Sequence, residues 1–174
     1  AHLVGKQEIS CEENTNTGQI FSATLERVKI TADQSALSGV THSLLHGFNY
    51  SPLEAPFPGW LRYGSFFNER NPWWPYFKLW SDYKARLSAV FMQSDMQANI
   101  AVLHPLVDLA SKYGFQRDPF PKVNYPNYVH KVWEAIHQHG NGCDYVSEQV
   151  LQKAASKTGS LIFNTRKYQT LVCI

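Results

Sequence analysis

Two adjacent carboxylates, Glu12 and Glu13, follow directly on a short run, Gln7–Cys11, that reads as a strand. In parallel α/β architectures ligands collect at the carboxyl ends of strands, and barrel enzymes place catalytic carboxylates there. Neighbours along a strand point to opposite sides, so at most one of this pair faces such a mouth. A solvated acidic loop explains the pair equally well on position alone. His46 closes the next apolar run, where it can bind a ligand or donate to a loop carbonyl. Thirteen of the 24 aromatic residues then fall between Phe48 and Tyr83, with five of the nine prolines. Cleaving a glycosidic bond takes two carboxyl groups, one protonating the leaving oxygen and one acting as nucleophile or water-activating base. Aromatic faces stack on the C–H surfaces of sugars, and Trp60, Trp73 and Trp74 with Glu12, Glu54 and Glu69 would supply that mixture. A hydrophobic plug accounts for several of these aromatics too, and Glu69-Arg70-Asn71 can instead cap a helix.

The elements that must carry these residues alternate along the chain. Gln7–Cys11 is expected as a strand running out into the polar loop Glu12–Asn16. Leu25, Val28, Ala32 and Ala36 recur at helical spacing, with Ser22 or Thr24 as cap and Gly39 as stop. Val40–Leu45 is the next strand, ending at His46-Gly47. A long aromatic loop carrying Glu54, Arg62, Glu69 and Arg70 follows, and such loops are usually functional. Tyr76, Trp80, Tyr83, Leu87 and Val90 mark one face of a long helix, with Lys84 off that stripe. Pro72 or Pro75 suits its first turn.

Asn99–His104 is a strong strand, and a loop with Pro119, Pro121 and Pro126 comes after it. Val129, Val132, Trp133 and Ile136 make a helical stripe closed by Gly140. Cys143–Val146 is expected as a strand, Glu148–Ala155 as a helix, and Leu161–Phe163 and Leu171–Ile174 as further strands. The fold class is therefore α/β with parallel sheet. The start at Ala1 and the apolar strand at the end of the chain lead us to expect a piece of a larger protein.

Composition narrows the function classes. With 16 basic and 14 acidic residues the formal charge is +2, without a basic run, so electrostatic nucleic-acid binding is not expected. Apolar stretches such as Leu87–Met92 are far too short to span a bilayer. Neither GxGxxG nor GxxxxGK[ST] occurs, so no nucleotide or flavin is expected. Cys11, Cys143 and Cys173 form no zinc or disulfide pattern and are expected as small buried hydrophobes. His130, His137 and His139 lack the i, i+4 spacing of a helical zinc site and suit a solvated helix face. Asn49-Tyr50-Ser51 matches the glycosylation sequon.

The run Gly5-Lys6…Ile9-Ser10-Cys11-Glu12 resembles a GK-x-x-x-S-x-E strand of α-L-rhamnosidase-type glycoside hydrolases, glycoside hydrolase family 106 and relatives. The resemblance continues through Ala32-Asp33, Ser38–His42 and His46-Gly47. It is strongest at Asn68-Glu69-Arg70-Asn71-Pro72-Trp73-Trp74-Pro75-Tyr76-Phe77 and Asp82–Leu87, and extends through Ile100–Pro105 and Cys143–Glu148. It implies a partial (β/α)8 barrel, its last two β/α units, over residues 1–95. A partial flavodoxin-like, amidotransferase-like parallel α/β domain is implied over 96–174. Cys143 lies within a strand and not at a nucleophile elbow, so amidotransferase activity is not expected.

On that map Glu12 is a catalytic carboxylate of an inverting, calcium-dependent enzyme, as general base or calcium-proximal ligand, with the partner acid upstream. His46, Tyr50, Glu69, Trp60, Trp73 and Trp74 are its substrate-binding group, and no metal ligand is assigned. Family resemblance further implies a periplasmic or extracellular location, a carbohydrate substrate, and the remainder of the same polypeptide as partner. The competing reading is a non-catalytic carbohydrate-binding or scaffolding module. A small flavodoxin-like nucleotide or flavin protein is a weaker third.

Overall fold

The structure, a computed structural model, describes residues 1–60, 63–113 and 128–174. Arg62 and the loop expected around Pro119, Pro121 and Pro126 lie outside the described residues. The described chain forms two compact units, one of Ala1–His2 with Lys6–Asp95, the other of Leu3–Gly5 with Met96–Ile174.

In the first unit, β1 (Ser10–Glu13) and β2 (His42–Leu45) run parallel, with Glu12 opposite Leu44 and Glu13 opposite Leu45. Ladder pairing, not hydrophobicity, sets the extent of β1. Ile9 O already accepts from Thr41 and His42, and pairing then proceeds through Glu13. The strand is thus shifted from the expected Gln7–Cys11, and both glutamates belong to it. Between the strands lies α1 (Leu25–Leu37), capped by the Thr24 hydroxyl, which accepts from Arg27 N–H at 3.2 Å. Val28, Ala32 and Ala36 recur every four residues and form its buried face. Ser38 and Gly39 end it, Gly39 at a φ of +93° that suits glycine.

The second helix, α2 (Phe77–Met92), follows a 3₁₀ turn, Trp74–Tyr76, with Pro75 inside it. Its core-facing residues are Trp80 and Lys84, not the whole expected stripe, because Tyr76 and Val90 stay exposed. Lys84, expected on the solvated side, is only 7% exposed and reaches Ala32 O on α1 at 3.4 Å. Its aliphatic stem serves as an apolar contact between the helices. Val28, Ala32, Phe67 and Trp80 centre this unit's core, joined by Leu25, Leu45, Trp73, Trp74 and Phe77.

The second unit holds a parallel sheet of β3 (Ile100–Leu103), β4 (Cys143–Val146) and β8 (Thr170–Cys173), in the order β4-β3-β8. Helices α3 (Leu106–Tyr113), α4 (Tyr128–Gln138) and α5 (Glu148–Lys153) accompany it. The first of these was expected as loop. Ser147 caps α5 through Val150 N–H.

Not every strand here is parallel: β5 (Ala155–Lys157), β6 (Ser160–Phe163) and β7 (Arg166–Tyr168) form an antiparallel meander. Its first turn, Thr158-Gly159, has positive φ at both residues, which a type I′ hairpin requires. The expected helix therefore stops at Lys153, and Ala155 opens a strand. The Tyr168 hydroxyl donates to Asp144 on β4 at 2.8 Å. Tyr168 also packs with Ala101 and Val146, flanked by Leu3, Val150, Leu151 and Leu161.

Cys143 is buried as expected, whereas Cys173 is exposed. His137 is not on a solvated face: it stacks on Trp133 at 3.9 Å, and its Nδ1 lies 2.9 Å from Trp133 O. No helix among the described residues is long and apolar enough to cross a membrane.

Burial pushes the Cys143 thiol up to about 11 from an ordinary value near 9, with Asp144 adding to the effect. Tyr168 is raised by burial and by its bond to Asp144. A raised folded pKa gives stability that is complete below the unfolded value and is lost as pH rises through the folded one. Urea midpoints are therefore expected to fall between pH 9 and 11. Cys143→Ala is expected to flatten the first part of that fall.

Candidate active site

The carboxyl ends of β1 and β2 stay level because His46 N–H donates to Glu13 O at 2.8 Å. Registered neighbours on parallel strands share a face. Leu45 packs into the core beside α1, so Glu13 opposite it lies on that covered face. Ser10, Glu12, His42 and Leu44 occupy the other face, and all four are exposed. Of the two carboxylates, Glu12 is therefore the one free to meet solvent or a ligand.

Glu13 is the opposite case. It is 3% exposed, and among the described residues neither carboxyl oxygen has a hydrogen-bond partner. Ser43 Oγ and His46 Nδ1 are likewise buried and unpaired. Buried polar groups are normally hydrogen-bonded, and leaving one without a partner is costly. A functional role is one explanation for such a group. The alternation rule predicts that the pair divides, but not which member goes inside. Leucines stand opposite both, Leu44 opposite Glu12 and Leu45 opposite Glu13, so residue type carries no signal; only the packing of Leu45 against the core decides it.

The segment from Gly47 to Trp73 is held by amide side chains. Asn49 Oδ1 accepts from Phe66 N–H at 3.1 Å, and Asn68 Nδ2 donates to Asn49 O at 3.0 Å. Asn71 Nδ2 donates to Ser65 O and Phe66 O, and the Ser65 hydroxyl donates to Asn14 O at 2.8 Å. Arg70 Nη1 donates to Pro58 O at 2.8 Å, while Ser51 Oγ accepts from Trp60 N–H. The side chains of the sequon's Asn49 and Ser51 are thus both spent on the loop. Gly59 has a φ of +104°, and a Cβ there would lie 2.2 Å from Ser51 Oγ. The sequence drew attention to Asn49 only as a sequon and to Asn68 and Asn71 only within the motif around Glu69-Arg70, and Ser65 was not singled out; their part in holding the loop was not foreseen.

The aromatic residues separate into two groups. Trp60 (66% exposed) and Tyr50 (74%) project from the loop. Trp73 and Trp74, expected as sugar-stacking faces or as part of a hydrophobic plug, pack against the core. Trp73 Nε1 donates to Ala23 O at 2.7 Å and its ring meets Phe67, while Trp74 stacks on Phe77 at 5.0 Å. Glu69 is exposed and does not cap α2, which begins at Phe77 after the 3₁₀ turn and whose N-cap residue, Tyr76, makes no side-chain cap bond. Among the described residues no three His, Cys, Asp or Glu side chains gather as a cation shell.

Fold and site together define an α/β protein with parallel sheets, an exposed carboxylate at a strand's carboxyl end, and exposed aromatics on the loop that follows the neighbouring strand. The family model described as alpha-L-rhamnosidase, glycoside hydrolase family 106, matches residues 1–164, and the chain belongs to that family. Its fold is similar to that of the rhamnosidase from Novosphingobium sp. PP1Y, with a TM-score of 0.59 and 18% identity. The alignment covers 99% of this chain and 15% of that one. None of the curated proteins matches this chain.

Asn71→Ala leaves the Ser65 and Phe66 carbonyls without their donor and is expected to cost about 1–3 kcal/mol in urea unfolding. Gly59→Ala is expected to lower stability by at least ~1 kcal/mol, since it adds a clash to an unfavourable backbone conformation.

Proposed function

We propose that this chain is the part of an α-L-rhamnosidase-type glycoside hydrolase that presents one of its two working carboxylates. The observation that carries this reading is Glu12, exposed on the open face of β1 at the strand's carboxyl end. Family membership supports the reaction class, and the fold likeness supports the architecture. Residues 1–95 are the last two β/α units of a (β/α)8 barrel, whose lumen is the face that Glu12 and Leu44 occupy. Residues 96–174 open a flavodoxin-like domain, in keeping with the parallel order β4-β3-β8.

In the reaction proposed, Glu12 takes a proton from a water molecule. That water attacks the anomeric carbon from the face opposite the leaving oxygen, and an acid elsewhere in the longer protein protonates that oxygen. The sugar configuration inverts, and no covalent intermediate forms. His46 and Tyr50 bind sugar hydroxyls, Trp60 supplies a stacking face, and the exposed Glu69 is a further hydroxyl acceptor. Trp73 and Trp74 hold that loop in place from the core side. Calcium belongs to this reading as a cofactor held mainly by residues of the longer protein, since the described residues gather no cation shell of their own. The enzyme is placed in the periplasm or outside the cell, acting on carbohydrate and not on nucleic acid or membrane.

Glu12→Gln in the longer protein is expected to lower kcat for aryl α-L-rhamnosides by about 10²–10⁴-fold, the share usual for general acid–base catalysis. Unchanged turnover would remove Glu12 from the mechanism. The 174 residues alone are expected to show no turnover, since one carboxylate cannot do the work of two. Saturable binding of oligosaccharide by a longer protein that releases no product would favour the binding-module reading instead.

A further inference from the structure

The open face of the β1–β2 pair carries four exposed residues, Ser10 and Glu12 from β1 and His42 and Leu44 from β2. Strands of a parallel sheet are ordinarily apolar on both faces, because both faces are covered. Here Leu44 alone of the four is apolar, and packing does not call for the other three. The function proposed above uses Glu12 and leaves Ser10 and His42 without a part.

The register says what these two residues can reach. Ser10 stands opposite His42, and Glu12 stands opposite Leu44. Leu44, directly across the ladder from Glu12, has no hydrogen-bonding group. Ser10 lies two residues back on the same strand, about 6.6 Å away along it, and its side chain is too short to close that gap. His42 is the diagonal neighbour. A strand spacing of about 4.8 Å and a rise of about 3.3 Å per residue set its Cα roughly 8 Å from that of Glu12. A glutamate and a histidine together span that distance, as long diagonal pairs on a sheet do. The backbone there is pinned, since the Thr41 and His42 N–H groups both donate to Ile9 O, at 2.9 and 3.0 Å.

A neutral imidazole offers one N–H donor and one acceptor nitrogen. We propose that His42 is the positioning residue of Glu12. Its N–H donates to one carboxylate oxygen and leaves the other for the attacking water. The Ser10 hydroxyl donates to the second ring nitrogen, which fixes the tautomer. The exposed side chains close this chain of bonds as substrate binds, the stage at which catalytic hydrogen bonds commonly tighten. No proton passes to His42; the one taken from water leaves Glu12 for solvent once product has gone. The inference rests on the reading of Glu12 as base, and adds that the base is aimed from the neighbouring strand.

The test is steady-state kinetics of the longer protein on an aryl α-L-rhamnoside, with His42→Phe made alone and together with Glu12→Gln. His42→Phe keeps a flat ring and removes both nitrogens. Alone, it is expected to lower kcat about 10–100-fold, the scale of a misplaced catalytic group, with KM within about twofold of the parent. Beside Glu12→Gln it is expected to lower kcat no further, because His42 acts through Glu12. His42→Gln keeps an N–H donor at similar reach and is expected to restore most of the lost kcat. His42→Asn carries the same amide on a shorter stem and is expected to lose kcat as His42→Phe does. The Gln and Asn variants thus carry the test even where the Phe variant does not fold. Ser10→Ala is expected to lower kcat about fivefold, the worth of one neutral hydrogen bond.

A raised KM with unchanged kcat in His42→Phe, an equal loss in both backgrounds, equal kcat in the Gln and Asn variants, or full kcat in Ser10→Ala would each overturn the proposal. Full activity in His42→Phe beside an inactive Glu12→Gln would sink this inference and leave Glu12 standing as the base. Undiminished turnover in Glu12→Gln would remove the reading of Glu12 and this inference with it.

Discussion

Adjacent residues of an extended strand point to opposite faces, and this constraint divides Glu12 from Glu13. Parallel pairing with β2 then fixes which goes where, because Glu13 lies opposite Leu45 and Leu45 belongs to the core. Shifting β1 by one residue would bury Glu12 and expose Glu13. The register is held by the backbone bond from His46 to Glu13 O and by Thr41, whose hydroxyl accepts from Ile9 N–H and donates to Gln7 O. The chemistry assigned to Glu12 therefore depends on hydrogen bonds that Glu12's own side chain does not make.

A second constraint follows from the length of the segment between β2 and α2. A buried loop must satisfy its own backbone polar groups. Here amide and hydroxyl side chains do so: Asn49, Asn68, Asn71 and Ser65 bind the carbonyls and N–H groups that no ladder reaches. With the base secured in this way, and with Trp73 and Trp74 anchored in the core, Tyr50 and Trp60 can be displayed at the surface. Order at the base and exposure at the tip are two consequences of one arrangement.

Much of this was legible before any coordinates. The period of Val28, Ala32 and Ala36 with a cap at Ser22 or Thr24 points to α1, and the apolar run at Cys143–Val146 to β4, because burial on a known period is a local signal; that Thr24 is the cap comes from its bond to Arg27 N–H. The strand carrying Glu12 was displaced because its end is set by a partner about 32 residues away. Lys84 was misplaced because a long amphipathic side chain can be buried along its stem. The meander from Ala155 to Tyr168 was missed in sense, since Thr158-Gly159 is a turn signal of only two residues. Trp73 and Trp74 suit a sugar platform and a core equally by type. Only their contacts with Ala23 O and Phe77 separate the two. Which glutamate is buried was not legible, because it depends on what stands opposite in the neighbouring strand.

The account's central claim is that Glu12 activates the attacking water in an inverting hydrolysis. Chemical rescue tests it most directly: Glu12→Ala in the longer protein, assayed on an aryl α-L-rhamnoside with and without azide. Azide needs no base to remove a proton, so it can replace the water that Glu12 would activate. The account predicts negligible turnover without azide, and restored turnover with azide that yields the β-configured rhamnosyl azide. Undiminished hydrolysis in the variant without azide, or a rescued product that retains the α configuration, would contradict it.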